Sequence, residues 1–103
     1  MAGFIQIIEY TTDRFDEIQK LMSDFREQRL AEGSGAVPLT RATVTADRDR
    51  PNTYRSIVEF VSYEAAMENS ARPETTEFSA TMQKLCSGPV HFYNLDVRET
   101  WQP

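Results

Sequence analysis

The sequence predicts an α+β domain in the order β-α-β-β-α-β: a four-stranded antiparallel sheet with its helices on one face. Three observations carry that expectation. Four short stretches rich in β-branched and aromatic residues, 4–11, 40–47, 53–61 and 90–98, alternate with segments of helical spacing or of turn residues. The middle two are divided only by RDRPN, in which Pro51 restricts the backbone, so they pair as a hairpin with an extended loop. The other two connections each contain a helical pattern long enough to cross back over a sheet.

Each element has its own justification. In FIQIIEYT, Ile5 and Ile7 point one way while Phe4, Ile8 and Tyr10 point the other. Asp13 is placed to cap the helix that follows, with Asp16 and Glu17 at its positive end. Ile18, Leu21, Met22 and Phe25 then form one apolar stripe, which fades before Gly33 and Gly35, and EGSGAVP reads as a loop. TRATVTAD sets Ala42, Val44 and Ala46 against Arg41, Thr43 and Thr45. In TYRSIVEFV, Tyr54, Val58 and Phe60 oppose Ile57 and Val61. Ser62 suits the N-cap of a short helix, YEAAMENSA, and Pro73 opens a second helical piece. There Phe78, Met82 and Leu85 make the inward stripe and Gly88-Pro89 ends it. In the last strand His91 shares a face with Tyr93, Leu95 and Val97, and Phe92 with Asn94, Asp96 and Arg98.

Composition narrows the class. The 103 residues suffice for one domain, 1–103, with 40% hydrophobic and 26% charged residues, ordinary for a folded chain. A net charge of −5 argues against nucleic-acid or anionic-membrane partners, which need a surplus of Lys and Arg. Arg48, Arg50 and Arg55 cluster, but Asp47, Asp49 and Glu59 are interleaved with them, and the stretch reads as a solvated turn. No apolar run reaches the length of a membrane span, no leader pattern opens the chain, and the one cysteine, Cys86, makes no internal disulfide. The expected location is the cytoplasm. Cys86, four residues after Met82 in a stretch with helical spacing, reads as a small buried apolar residue.

The element order is that of the ferredoxin-like split βαβ fold. Because both faces of the strands carry large apolar side chains, the helix-free face needs cover, and a second copy of the chain is the simplest cover. At this point the chain resembles the dimeric α/β-barrel superfamily, in particular the antibiotic biosynthesis monooxygenase-like domains. The most specific stretch is DRPNTYRSIVEFVSYEAAMENS, residues 49–70: a Pro-containing turn, a strand, then Ser62 and Glu64-Ala65 opening a helix. The resemblance implies a homodimer through the helix-free sheet faces, with a pocket in each subunit between sheet and helices. Activities in such proteins include cofactor-independent oxidation of polyphenols and haem degradation, and many have no established reaction. A tryptophan that members often carry near the position of Phe60, and a histidine near that of Asn69, are absent here.

The candidate chemistry starts with His91, the only histidine. It reads either as a proton acceptor in a pocket with Tyr93, or as a strand histidine satisfied by a backbone carbonyl or by Tyr93; a lone histidine favours the second. Asn69 either lines the pocket from its helix or ends the YEAAMENS turn, and Phe60 and Phe25 are further pocket candidates. Asn94, Arg98 and Trp101 are suitable residue types for binding a phenolate, but Asn94, Asp96 and Arg98 equally suit a polar network across a dimer contact. One histidine and one cysteine do not make a zinc site, and the haem-degrading pattern does not fit a histidine on the last strand. No metal or other cofactor is expected. No Gly-rich phosphate loop, GxSxG, HExxH or CxxC occurs. The functional expectation is binding or oxidation of a small aromatic or hydrophobic molecule, in a cofactor-independent, monooxygenase-like manner. The alternative is a non-catalytic dimeric stress-response or regulatory module without a working active site.

Overall fold

The alternating strand stretches pair in one antiparallel sheet. In the computed structural model, which describes residues 3–32 and 39–103, strands β1 (Phe4–Thr11), β2 (Leu39–Ala46), β3 (Thr53–Phe60) and β4 (His91–Asp96) form a sheet of order β2-β3-β1-β4. Helix α1 (Phe15–Ala31) joins β1 to β2, and α2 (Tyr63–Ser70) with α3 (Pro73–Lys84) joins β3 to β4. This is the expected α+β arrangement, with the second helical connection broken in two. Residues 33–38 of the expected loop lie outside the described residues.

Register assigns the faces, because paired residues point the same way. Ile8 lies opposite Ser56 and Phe92, Gln6 opposite Val58 and Asn94, and Phe4 opposite Phe60 and Asp96; this set faces the helices. The other set is Ile5 opposite Glu59 and Leu95, Ile7 opposite Ile57 and Tyr93, and Glu9 opposite Arg55 and His91. A bulge between Leu39 and Arg41 returns Leu39 to the helix side, across from Phe60.

The helix starts follow local chemistry. Ser62 is the N-cap of α2, its Oγ accepting the Ala65 N–H at 3.1 Å, and Pro73 sits in the first turn of α3, where its missing N–H costs nothing. Asp13 does not cap α1. The N-cap is Arg14, and Thr12 does the work nearby: its Oγ1 accepts the Arg14 N–H at 2.9 Å and donates to the Leu85 carbonyl at 2.6 Å. The fully buried Thr12 also donates its N–H to Asn52, whose φ of 61° Asn tolerates well. One threonine thus ties the start of α1 to the end of α3 and to the hairpin turn. Helix α3 stops at Lys84 rather than at Gly88-Pro89, so Cys86 lies past its C-cap, Leu85. There its Sγ donates to the Met82 carbonyl at 3.3 Å, and burial pushes the thiol pKa up.

Side chains bury in two clusters. Tyr10, Ile18, Met22 and Met82 form one, and Phe4, Phe60 and Ala66 the other. They lie at the two ends of β1, whose middle helix-facing residues, Gln6 and Ile8, are only partly buried. Arg55 is not part of the turn with Arg48 and Arg50. It sits on β3 and bridges Glu9 and Asp47 at 2.8 and 2.9 Å.

Candidate functional site

The space between the two core clusters is a cavity. About 620 Å³ lies between the helix-facing side of the sheet and helices α1 and α3, within the size range of small-molecule sites. Its walls come from both clusters, Met22 and Met82 on one side, Val58 and Phe60 on the other. Phe25 and Phe78 stack with ring centroids 4.5 Å apart and form an aromatic wall. The lining is apolar over most of its area, and its polar groups are Gln6 and Ser56 from the sheet, Asn69 and Ser70 from α2, Thr75, Thr76, Ser79 and Gln83 from α3, and Arg26 and Arg29 from α1.

Arg29 organises the polar end. It is 4% exposed, although it is a charged residue on an exposed-length helix, because it continues the stripe of Ile18, Met22 and Phe25. Its guanidinium donates to Asn69 Oδ1 at 3.0 Å and to Thr75 Oγ1 at 3.4 Å, and lies 5.3 Å from the Phe25 ring centroid. Burial lowers its pKa and the Arg72 guanidinium lowers it further, while Glu32 and Glu74 oppose them; arginine remains a cation throughout. Arg72 in turn bridges Glu32 and Glu74 at 2.8 and 2.9 Å, bracing the end of α1 against the start of α3.

The sequence-predicted residues divide. Asn69, Phe60 and Phe25 line the cavity together. His91 and Tyr93 do not, which corrects the expectation that they would share a pocket with helix residues. Strand alternation puts both on the helix-free face, opposite Glu9 and Ile7, and both are exposed. Asn94 and Asp96 face the helix side, with Asn94 Oδ1 accepting from Gln6 Nε2 at 3.1 Å, so they lie away from the face expected to meet a second copy. Phe92, on their side, reaches the cavity. Trp101 is exposed beyond β4. Among the described residues, no three His, Cys, Asp or Glu side chains gather as a metal site, and no helix is long and apolar enough to cross a membrane.

The cavity lies where the resemblance implies a pocket, between sheet and helices, but the sequence reading does not single out Arg29 or Gln6. The signal was present: Arg29 follows Phe25 at helical spacing on the apolar stripe, and Gln6 interrupts the inward set Phe4, Ile8 and Tyr10. Chemically, the site can enclose an apolar ring, offer it hydrogen bonds and place a guanidinium beside it. The described lining residues include no carboxylate, histidine, lysine, cysteine or tyrosine, so no side chain there is a proton acceptor near neutral pH.

Comparison with known proteins places the fold. No family model matches the chain, and no curated protein matches it in sequence. Solved structures do. SnoaB, a cofactor-independent oxygenase from Streptomyces nogalater, superposes with a TM-score of 0.73 at 15% identity, over 96% of this chain and 95% of that one. A Caulobacter crescentus protein proposed to be an antibiotic biosynthesis monooxygenase gives 0.73 at 16% identity, over 94% and 92%. A conserved protein from Methanosarcina mazei gives 0.75 at 8% identity, over 92% of each chain. The chain has the fold of the antibiotic biosynthesis monooxygenase-like proteins.

Proposed function

We propose that this chain binds a small aromatic or hydrophobic molecule between its sheet and helices and oxidises it with molecular oxygen, without a cofactor. The observation that carries the reading is the mostly apolar cavity of about 620 Å³ with Asn69 and Arg29 hydrogen-bonded at one end. The fold shared with a cofactor-independent oxygenase supports it. In such a reaction a ring CH₂ becomes a carbonyl: one oxygen atom of O₂ replaces two hydrogens and the other leaves as water. The protein's part is to exclude bulk water and to hold the electron-rich ring against fixed polar groups.

A homodimer belongs to the same proposal. The helix-free face carries Ile5, Ile7, Ile57, Tyr93 and Leu95 in adjacent register, with Tyr93 and Leu95 46% and 43% exposed in the single chain. A contiguous apolar face of this kind favours association with a second copy.

The second reading, a binding module without turnover, is favoured by the lack of a side-chain proton acceptor in the described lining. Oxygen uptake with a panel of anthrones, whose ring CH₂ is the carbon oxidised, separates the two. Consumption above the buffer rate, reduced by Asn69→Ala, supports oxidation. Saturable binding with no uptake across the panel supports the module.

A further inference from the structure

His91 is the only histidine of the chain, and register places it on the helix-free face, directly opposite Glu9. The charges around the apolar middle of that face can be counted. At one end Arg41 pairs with Glu59 at 3.7 Å. At the other, Arg55 bridges Glu9 and Asp47 at 2.8 and 2.9 Å, one cation between two carboxylates. Two cations against three carboxylates leave one negative charge in excess while His91 is neutral, and none when it is protonated. The excess sits beside the histidine. Both Arg55 contacts to Glu9 fall on Oε2, so Oε1 makes no hydrogen bond among the described residues, although the Glu9 side chain is largely buried. Directly opposed residues on antiparallel strands have Cβ atoms about 5 Å apart, which brings an imidazole within reach of a carboxylate. On this side β1 is the one strand next to β4, so the charged groups facing His91 are Glu9 and, behind it, Arg55 from β3 and Asp47 after β2. Residues 85–90, which lead into β4, hold no charged side chain, and Tyr93 follows on the same face.

Covering this face changes the balance. When two copies bury their apolar middles against each other, water is withdrawn from a row that holds an uncompensated carboxylate oxygen. The attraction of a neighbouring cation grows as the local dielectric falls. His91 itself lies on an edge strand and is exposed, so its imidazolium keeps solvent at the rim and its own desolvation is the smaller effect. We infer that His91 is a pH-dependent clamp on self-association: protonated, it engages Glu9 and tightens the dimer formed through the helix-free face. The inference rests on the homodimer proposed above and adds its regulation. Linkage fixes the sign. A histidine that gains a carboxylate partner on association holds its proton more tightly in the dimer than in the monomer. Association therefore takes up protons, and Kd falls as pH falls through the range where histidines titrate.

The test is sedimentation velocity of the full chain over the micromolar range, in one salt concentration, at about pH 7.5 and about pH 5.8, either side of the ordinary histidine value. Kd is expected to fall by roughly three- to tenfold at the lower pH, the scale of an opposite-charge cross-strand pair strengthened once in each copy. His91→Gln should abolish that difference, since histidine is the side chain that ordinarily titrates in this interval and the chain has one. Glu9→Gln leaves two cations against two carboxylates and should also remove the tightening. A histidine that merely occupies a strand position predicts a shift in Kd for His91→Gln that is equal at both pH values. A wild-type dimer with the same Kd at both, or a weaker one at the lower pH, overturns the inference and leaves the dimer standing. A difference that survives in His91→Gln overturns the role of His91. A monomer throughout the range at both pH values overturns the inference together with the dimer beneath it. The wild-type comparison needs no variant, so a misfolded substitution leaves the inference open to refutation.

Discussion

Ile7→Lys is the substitution that bears most directly on assembly. Ile7 lies mid-strand on the helix-free face, directly opposite Ile57 on one neighbour and Tyr93 on the other, with Ile5 and Leu95 the next pair along. In the single chain it is partly buried, so association removes only part of its surface from water. Full burial of an isoleucine side chain stabilises by about 1.5–3 kcal/mol. A two-fold axis presents the residue twice, so its loss removes roughly 3–4 kcal/mol after allowing for the surface already covered. At about 1.4 kcal/mol per decade, the dimer Kd weakens by two to three orders of magnitude, and the two introduced ammonium groups weaken it further. Sedimentation velocity at micromolar concentration should show a wild-type dimer and an Ile7→Lys monomer. Far-ultraviolet circular dichroism should match, because the new side chain replaces one on the open face of the sheet. Ser23→Lys, on the exposed side of α1, should leave the dimer unchanged. The reasoning fails if the wild type sediments as a monomer across the micromolar range, or if Ile7→Lys remains dimeric with an unaltered Kd.

Three further outcomes are expected. Ile18→Ala, at a fully buried position packed with Tyr10, Met22 and Met82, should cost about 3 kcal/mol in urea unfolding, whereas Phe25→Ala should cost less than a usual core phenylalanine because Phe25 borders open space. Ser62→Ala removes the acceptor for the Ala65 N–H and should lower stability by about 1 kcal/mol, with Ser62→Asn restoring most of it. The Asp47 carboxyl is held below its ordinary pKa by hydrogen bonding to Arg55 first and to the Asp49 N–H second. Its stabilisation is therefore present above the unfolded value and lost as pH falls through the folded one, so the stability gap between wild type and Asp47→Asn should be open at about pH 6 and narrow as pH falls below the ordinary carboxylate range.

How far the fold could be read from the sequence depended on the period of each pattern. The alternation of Ile5 and Ile7 against Phe4, Ile8 and Tyr10, and the opposition of Val58 and Phe60 to Ile57, defined faces that the register reproduces, because one slip would turn every side chain over. The helix boundaries were legible where a side chain does the capping, as at Ser62, and misread where it does not. At the start of α1 no side chain caps the helix; in place of the expected Asp13 cap, the hydroxyl of Thr12 accepts the N–H of the N-cap residue Arg14, and no local rule anticipates its bond to Leu85 far along the chain. The site was half legible. Asn69, Phe60 and Phe25 follow from their elements, whereas alternation leaves open which face of the last strand meets the helices, and the register puts His91 and Tyr93 on the other one. Arg29 is not legible in the sequence, because helical spacing places it on the apolar stripe without saying whether a charged side chain there is buried, and only the packed helices show that it is.

The cavity is encoded rather than left over from poor packing. Along the helix-facing side of β1 the order is Phe4, Gln6, Ile8, Tyr10, with both ends almost fully buried and the polar Gln6 between them. Around the same space the sheet contributes Ala42 and Ser56, and α3 contributes Ser79 and Ala80. Residues of this size on facing layers keep the walls apart, where leucine or phenylalanine at the same positions would close them. A void lined only by hydrocarbon would sacrifice dispersion contacts with nothing gained. This one is edged by Gln6, Asn69, Thr75 and Arg29, groups that carry a hydrogen-bonding cost into the interior and meet part of it among themselves. Small residues that open the space and polar residues that face it are separate departures from a well-filled core. Both fall on the same stretch between the two hydrophobic clusters, so the open space follows from the choice of residues there.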